Sequence, residues 1–304
     1  MANYFLEKIS GIERYRSFES VISSSFFQYE ISGGMEQDRE KYFESLKLSF
    51  ENQGSRIVDR PLNAPDKPIQ LAGWKEVILK SMGNHDRFPN ESLNLGVTNS
   101  YEIQAQRAGY LAGLNPLMVL GVSITSDERL ILGVRVGKVE AGKISLVPMG
   151  YASYSEAFLQ DPFYDGIHQE IGEELGWESS QLSSLGLVGL VEGDINDPTF
   201  NGSVLFTFLA KRNDVTSKEV IQKHEEALLL YNNLLSQGKG KLEIKQELVK
   251  AGFYSDAWEH DKLFAFEPTR QNIENLIQNG TFDGNLLLDV SRTGLYLIKE
   301  IFKL

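Results

Sequence analysis

Gln169-Glu170-Ile171-Gly172-Glu173-Glu174-Leu175-Gly176-Trp177 is the stretch on which the fold turns. Read as a helix of about 100° per residue, it gathers Glu170, Glu173 and Glu174 within roughly a third of the circumference. Tyr164, Ile171 and Leu175 fall on a neighbouring stripe that would pack on a sheet. The spacing predicts a helix from about Phe163 to Leu175, ended by Gly176. As an isolated helix it is poorly built. Glu170 and Glu174 are like charges at i and i+4, which costs about 0.2–0.5 kcal/mol. No Lys or Arg between Phe163 and Trp177 relieves them. Gly166 and Gly172 each cost up to about 1 kcal/mol relative to Ala. A solvated acidic face is the bland reading of any glutamate triplet, but here the compensation must come from outside the helix. A divalent cation would supply it, and hard Mg²⁺ prefers oxygen ligands.

Working outward, Leu117 to Thr125 is apolar and β-rich, Ser126-Asp127-Glu128-Arg129 reads as a turn, and Leu130 to Val136 as the return strand of a hairpin. Ile144 to Val147 is a third strand, stopped by Pro148. Strands are expected at Leu185–Val191 and Ser203–Leu209, then amphipathic helices at Ser217–Leu235 and Lys241–Lys250. Leu263–Phe266 reads as a short strand, Thr269 as the cap of a helix through Gln278, and Leu286–Phe302 as a closing helix. Nearer the start, residues 36–53 carry helical spacing in Tyr42, Phe43, Leu46 and Phe50. Asp59 to Pro68 reads as loop. Residues 83–100, rich in Gly, Asn, Ser and Pro, read as irregular. Strands mixed with helices in irregular alternation point to an α+β fold, an α/β/α layered domain with a mixed sheet. The expected division is a smaller N-terminal α/β region, 1–110, and a main domain, 113–304, with a helical insertion at about 214–252.

Composition narrows the function. The 304 residues include 42 Asp and Glu against 30 Lys and Arg, a net charge of −12. A general nucleic-acid binder needs basic surface, so no nucleic acid is expected as partner. There is no cysteine, which removes thiolate metal sites, disulfides and Cys nucleophiles. The first residues lack the layout of a signal peptide, and no run approaches the length of a membrane span. A cytoplasmic protein without a membrane partner is the expectation.

The segment Gly150 to Trp177 resembles the Nudix box: Gly, five residues, Glu, seven residues, then Arg-Glu-apolar-any-Glu-Glu-any-Gly-apolar. The second half matches at every position but one, Gln169 standing where the family has Arg. The first half matches as Gly150, five residues, Glu156, after which twelve residues rather than seven precede Gln169. A five-residue insertion before the helix explains the spacing. The alternative register, with Ser155 and Asp161 in the Gly and Glu positions, lacks the preceding strand that Pro148-Met149-Gly150 follows. The likeness extends over about Gly113 to Leu304, a Nudix-like α/β/α sandwich, and its specific part is some twenty-eight residues.

What the resemblance implies is a hydrolase that cleaves the diphosphate bond of a nucleoside diphosphate linked to another moiety, such as an NDP-sugar or an ADP-ribose-like compound. Mg²⁺ or Mn²⁺ would neutralise phosphate charge. Glu173 and Glu174 would be metal ligands, and Glu170 a ligand or general base. The Gly150 carbonyl would be a further ligand. Glu156 and Gln169 would structure the box, although Gln lacks the permanent charge of Arg. Glu259, Asp194 and Asp197 are candidates for the additional acid the family draws from a loop outside the box, set against the plainer reading of solvated loop residues. His168 reads as structural, Trp258 and Tyr151 as packing aromatics that could also stack on a base, and Glu225 and Glu226 as a solvated face. His85, His224 and His260 show no paired ligand spacing. The family is frequently dimeric, so a homodimer is among the expectations, while no feature of the sequence selects an oligomer. The rival reading is a catalytically weak Nudix-fold module that binds or senses a nucleotide metabolite. The isomerase branch of the family typically needs a Cys, which this chain lacks.

Overall fold

The computed structural model describes residues 5–7, 56–58, 70–72, 77–82, 94–98, 103, 115–136, 140–154, 162–192 and 204–299. Strands are β1 Phe5–Glu7, β2 Arg56–Val58, β3 Gln70–Ala72, β4 Val77–Met82, β5 Asn94–Thr98, β6 Asn115–Ile124, β7 Leu130–Arg135, β8 Ile144–Leu146, β9 Met149–Tyr151, β10 Ser153–Tyr154, β11 Ser184–Glu192, β12 Val204–Lys211, β13 His260–Phe266, β14 Thr281–Phe282 and β15 Asn285–Leu286. Helices are α1 Pro162–Leu175, α2 Ser217–Ser236, α3 Lys241–Lys250, α4 Arg270–Asn279 and α5 Asp289–Ile298. The helix expected at residues 36–53 and the loop from Asp59 to Pro68 lie outside the described residues. Among the described residues no helix is long and apolar enough to cross a membrane.

β6 is the axis of the sheet. It runs parallel to β12, which pairs antiparallel with β11, and its Met118–Leu120 segment pairs antiparallel with β9. The turn after Ile124 leads into β7, which carries β8 on one side and β13 on the other. Strand alternation sorts β6 between two cores. Leu117 and Val119 face Phe163, Ile167, Ile171 and Leu175 of α1. Met118, Leu120, Val122 and Ile124 face Ile273 and Leu276 of α4 and Leu295 and Ile298 of α5. This is the expected α+β sandwich with a mixed sheet between helical layers. Strand pairing also reaches back across residue 110: β4 pairs with the start of β6, and β1 with β11.

Two expectations need correcting. Residues 83–100 are not irregular throughout, because β5 pairs along its length with β4. Pairing along a sheet edge overrides a turn-rich composition. The closing helix is also shorter than expected, α5 ending at Ile298, and a hairpin, β14–β15, precedes it. Its two-residue turn is Asp283-Gly284, with φ of 49° and 80°, the left-handed pair that an Asp-Gly turn of this kind requires.

The start of α2 is tied to the β6–β7 turn through the Asp127 carboxylate. Asp127 accepts from the Ser217 backbone N–H at 2.8 Å, from the Ser217 hydroxyl at 2.6 Å and from the Thr125 hydroxyl at 2.6 Å. Burial pushes this carboxyl up, but the bonds from Ser217 and Thr125 outweigh it and hold the pKa at about 2. Asp127→Ala should lower stability by about 1–2 kcal/mol, as for loss of a helix-cap acceptor. Urea denaturation checks this, and an unchanged midpoint would mean that the turn and the helix start are held without it.

Candidate active site

α1 begins at Pro162, where the missing N–H is no loss, and turns out of the helix at Gly176, whose φ of 66° suits a residue without Cβ. Its apolar stripe, fully buried on β6, fixes its rotation, so the glutamates face β9, β13 and the segment before β13. Each goes to a different partner.

Glu174 is buried. One carboxyl oxygen accepts the Met149 backbone N–H at 3.0 Å, and the other lies 2.8 Å from His260 Nε2. Burial raises its pKa to about 7, with the Asp256 charge adding to the rise and Arg135 and the Met149 N–H opposing it. Burial, reinforced by Arg135, lowers His260 to about 3, so the imidazole is neutral and its Nε2–H donates to Glu174. His260 Nδ1 is buried without a partner, packed over the Cα of Gly133. His224 holds the strand from behind. Its Nε2–H donates to the His260 carbonyl at 3.0 Å, and its Nδ1 accepts from the Tyr254 hydroxyl at 2.9 Å.

Glu170 lies against Gly150. A Cβ at Gly150 would fall well inside van der Waals contact distance of every atom of the Glu170 carboxyl group. Glycine is therefore what lets the carboxylate sit on the β9 backbone. Glu170 also hydrogen-bonds Glu174. Glu173 turns the other way. Its carboxyl accepts from Gln169 Nε2 at 2.9 Å and meets Asp256, and burial raises its pKa to about 7. Glu259, on the turn entering β13, stands 3.9 Å from Arg135. Burial first, and the Glu174 charge second, push its pKa up to about 7.

Glu170 thus meets both Gly150 and Glu174, Glu259 lies within electrostatic reach of Glu174, and Gln169 and Glu173 turn to the flank shared with Asp256. Glu156, Asp194 and Asp197 lie outside the described residues. Among the described residues no three Asp, Glu or His side chains converge on a single metal-binding point. The carboxyls stand instead as hydrogen-bonded pairs, Glu170 with Glu174 and Glu173 with Asp256. As a donor set they suit a hard divalent cation: all are oxygens, and Glu173, Glu174 and Glu259 have pKa values raised first by burial and then by a neighbouring carboxylate, a cost that a cation would relieve.

His260, Arg135, Asp256 and Lys245 belong to this site and carry no sequence signal, because strand register and the α3 packing, not spacing, bring them in. The aromatic candidates are used in packing. Trp258 donates Nε1–H to Asp256 at 3.0 Å, with Tyr231 stacked at 6.5 Å and Lys241 Nζ 3.5 Å from its ring centre. Tyr151 packs on the α4–α5 core. His168 is bonded to Ser179, 2.9 Å away, and Glu225 and Glu226 are exposed.

The site thus sits in a mixed sheet between two helical layers, with a glutamate helix laid against the glycine strand that precedes it. No protein-family model and no curated protein matches the chain. Among solved structures it is similar to the Nudix domain of Shewanella oneidensis NrtR complexed with ADP ribose, at 12% identity and a TM-score of 0.35, over 62% of this chain and 88% of that one. It is also similar to a MutT/nudix family protein from Enterococcus faecalis, at 21% identity and a TM-score of 0.27, over 33% of this chain and 38% of that one. A protein from Deinococcus radiodurans follows at 17% and 0.26, over 33% and 57%. Scores at this level assign neither activity nor ligand to the chain.

Proposed function

We propose that the chain is a metal-dependent hydrolase that cleaves the diphosphate bond of a nucleoside diphosphate linked to another moiety. The observation that carries this reading is the contact between Glu170 and Gly150. It joins the two ends of the sequence motif across the β9–α1 connection and sets a carboxylate directly over the Gly150 Cα.

Glu170, Glu174, Glu259 and the Gly150 carbonyl would hold Mg²⁺ or Mn²⁺, with Glu173 at the edge. Such a cation supplies charge neutralisation on a diphosphate and a more acidic bound water. The chain's own residues do the rest. Met149 N–H and His260 Nε2–H orient Glu174 from behind. Glu170 is half-buried, so water can reach it and it could take a proton from an attacking water. Arg135, beside Glu259, balances the carboxylate charge.

The purified protein should release phosphomonoester from at least one member of a panel of nucleoside diphosphate conjugates with Mg²⁺ or Mn²⁺, scored by phosphatase coupling. Glu170→Gln should lower kcat by about 10²-fold or more, and Glu174→Gln should abolish turnover. A second reading, a nucleotide-metabolite binding module, is favoured by Gln169 and by the paired, unconverged glutamates. No turnover across the panel, with the same compounds raising Tm, would select it.

A further inference from the structure

α1 carries three glutamates and no cation of its own, and Asp256 and Glu259 add two more carboxyls at the same end. The counter-charge comes from other elements. One source is Arg135 on β7. The other is Lys245 on α3, whose Nζ lies 2.6 Å from one oxygen of Asp256 and 2.9 Å from the other. The Asp256 side chain is only 8% exposed. Its backbone N–H donates to the Glu173 carbonyl at 2.8 Å, and its carboxyl meets that of Glu173. Lys245 is aimed by its neighbours. Ile244 and Leu248 are buried with Ala227, Leu234, Tyr254 and Ala257 in a small core between α2, α3 and the segment before β13. That core fixes the rotation of α3 and leaves Lys245 facing Asp256.

We propose that Lys245, supplied by the helical insertion, is a positioning residue for Glu173, acting through Asp256. It would contribute at the site the positive charge for which α1 has only Gln169. The metal-binding consequence rests on the hydrolase reading; the positioning itself does not. A merely structural ion pair would act on stability and would leave metal affinity alone.

The test uses the full chain with Lys245→Met, Lys245→Arg and Glu173→Gln. Calorimetry with Mn²⁺ should show Lys245→Met raising Kd by about 10-fold, as for loss of an outer-shell partner, and Lys245→Arg restoring most of it. Removing a nearby positive charge without any positioning role would tighten Mn²⁺ binding, so a tighter or unchanged Kd overturns the proposal. If the wild-type chain binds no Mn²⁺, the hydrolase reading fails separately, and urea denaturation decides the positioning. Lys245→Met and Glu173→Gln should then be non-additive, because Asp256 couples them. Additive losses overturn it.

Discussion

Gly150→Ala should cost about 10²-fold in kcat/KM while leaving the fold intact. The argument separates two reasons for a glycine. Gly150 is not among the glycines with positive φ, so an alanine there meets no backbone strain. What it meets is the Glu170 carboxyl, which occupies the space a Cβ would take. That carboxyl is the end of a flexible side chain, so it can swing away, and stability should change by about 1 kcal/mol or less. The proposed hydrolysis would not absorb the same movement, because a misplacement of about 1 Å at a reacting group costs on the order of 10²-fold. Mn²⁺ affinity should fall with it. Steady-state kinetics beside a thermal melt reads both. A variant with wild-type kcat/KM would mean that Glu170 works from another position, whereas a collapse in Tm would mean that the β9–α1 contact is structural.

Much of this site was legible in the sequence, and the reason is local. Glu170, Glu173, Glu174 and the apolar stripe belong to one helix, and a 3.6-residue period converts spacing into faces. Gly150 was legible because it follows a strand that Pro148 stops. His260 was not. It reaches Glu174 because β13 pairs with β7 in a register that sets His260 against Arg135, and no spacing along the chain encodes a pairing between strands so far apart. Lys245 and Asp256 were hidden for the same reason, being brought in by the α2–α3 core. Glu259 was named from its place before a strand, and the same register put it beside Arg135. The direction of Glu173 was misjudged by treating three glutamates on one face as one group. A third of a circumference is wide enough for neighbours on two sides to divide them, and Asp256 does so. The β14–β15 turn is a different kind of miss, since Asp283-Gly284 is a local signal that short flanking strands made easy to pass over.

Without divalent metal, the protein should be less stable at about pH 8 than at about pH 6.5, and added Mg²⁺ or Mn²⁺ should raise Tm more at the higher pH. Glu173, Glu174 and Glu259 each have a folded pKa pushed up to about 7, burial being the largest cause in every case. In the unfolded chain a glutamate titrates near about 4.3. A raised carboxyl stabilises the fold fully below its unfolded pKa, and that contribution is lost as pH rises through about 7. The histidines have the opposite sign. Burial lowers His260 to about 3 and His224 to about 4, so their contribution is present above the unfolded value of about 6.5 and is lost as pH falls toward the folded values. The two sets therefore oppose each other near neutral pH. Between about 6.5 and 8 the unfolded histidines shed their remaining protons, which favours the fold slightly, but the three carboxyls give up more and set the sign of the slope. A cation binds the ionised form and is excluded by the proton, so its stabilisation grows over the same interval. Thermal melts at three pH values with chelator and with saturating Mg²⁺ decide the matter. A metal-free Tm that stays level up to about pH 8 would show the carboxyls ionising in place at no cost. A falling Tm that Mg²⁺ fails to recover would show that they ionise against one another without ever forming a cation site.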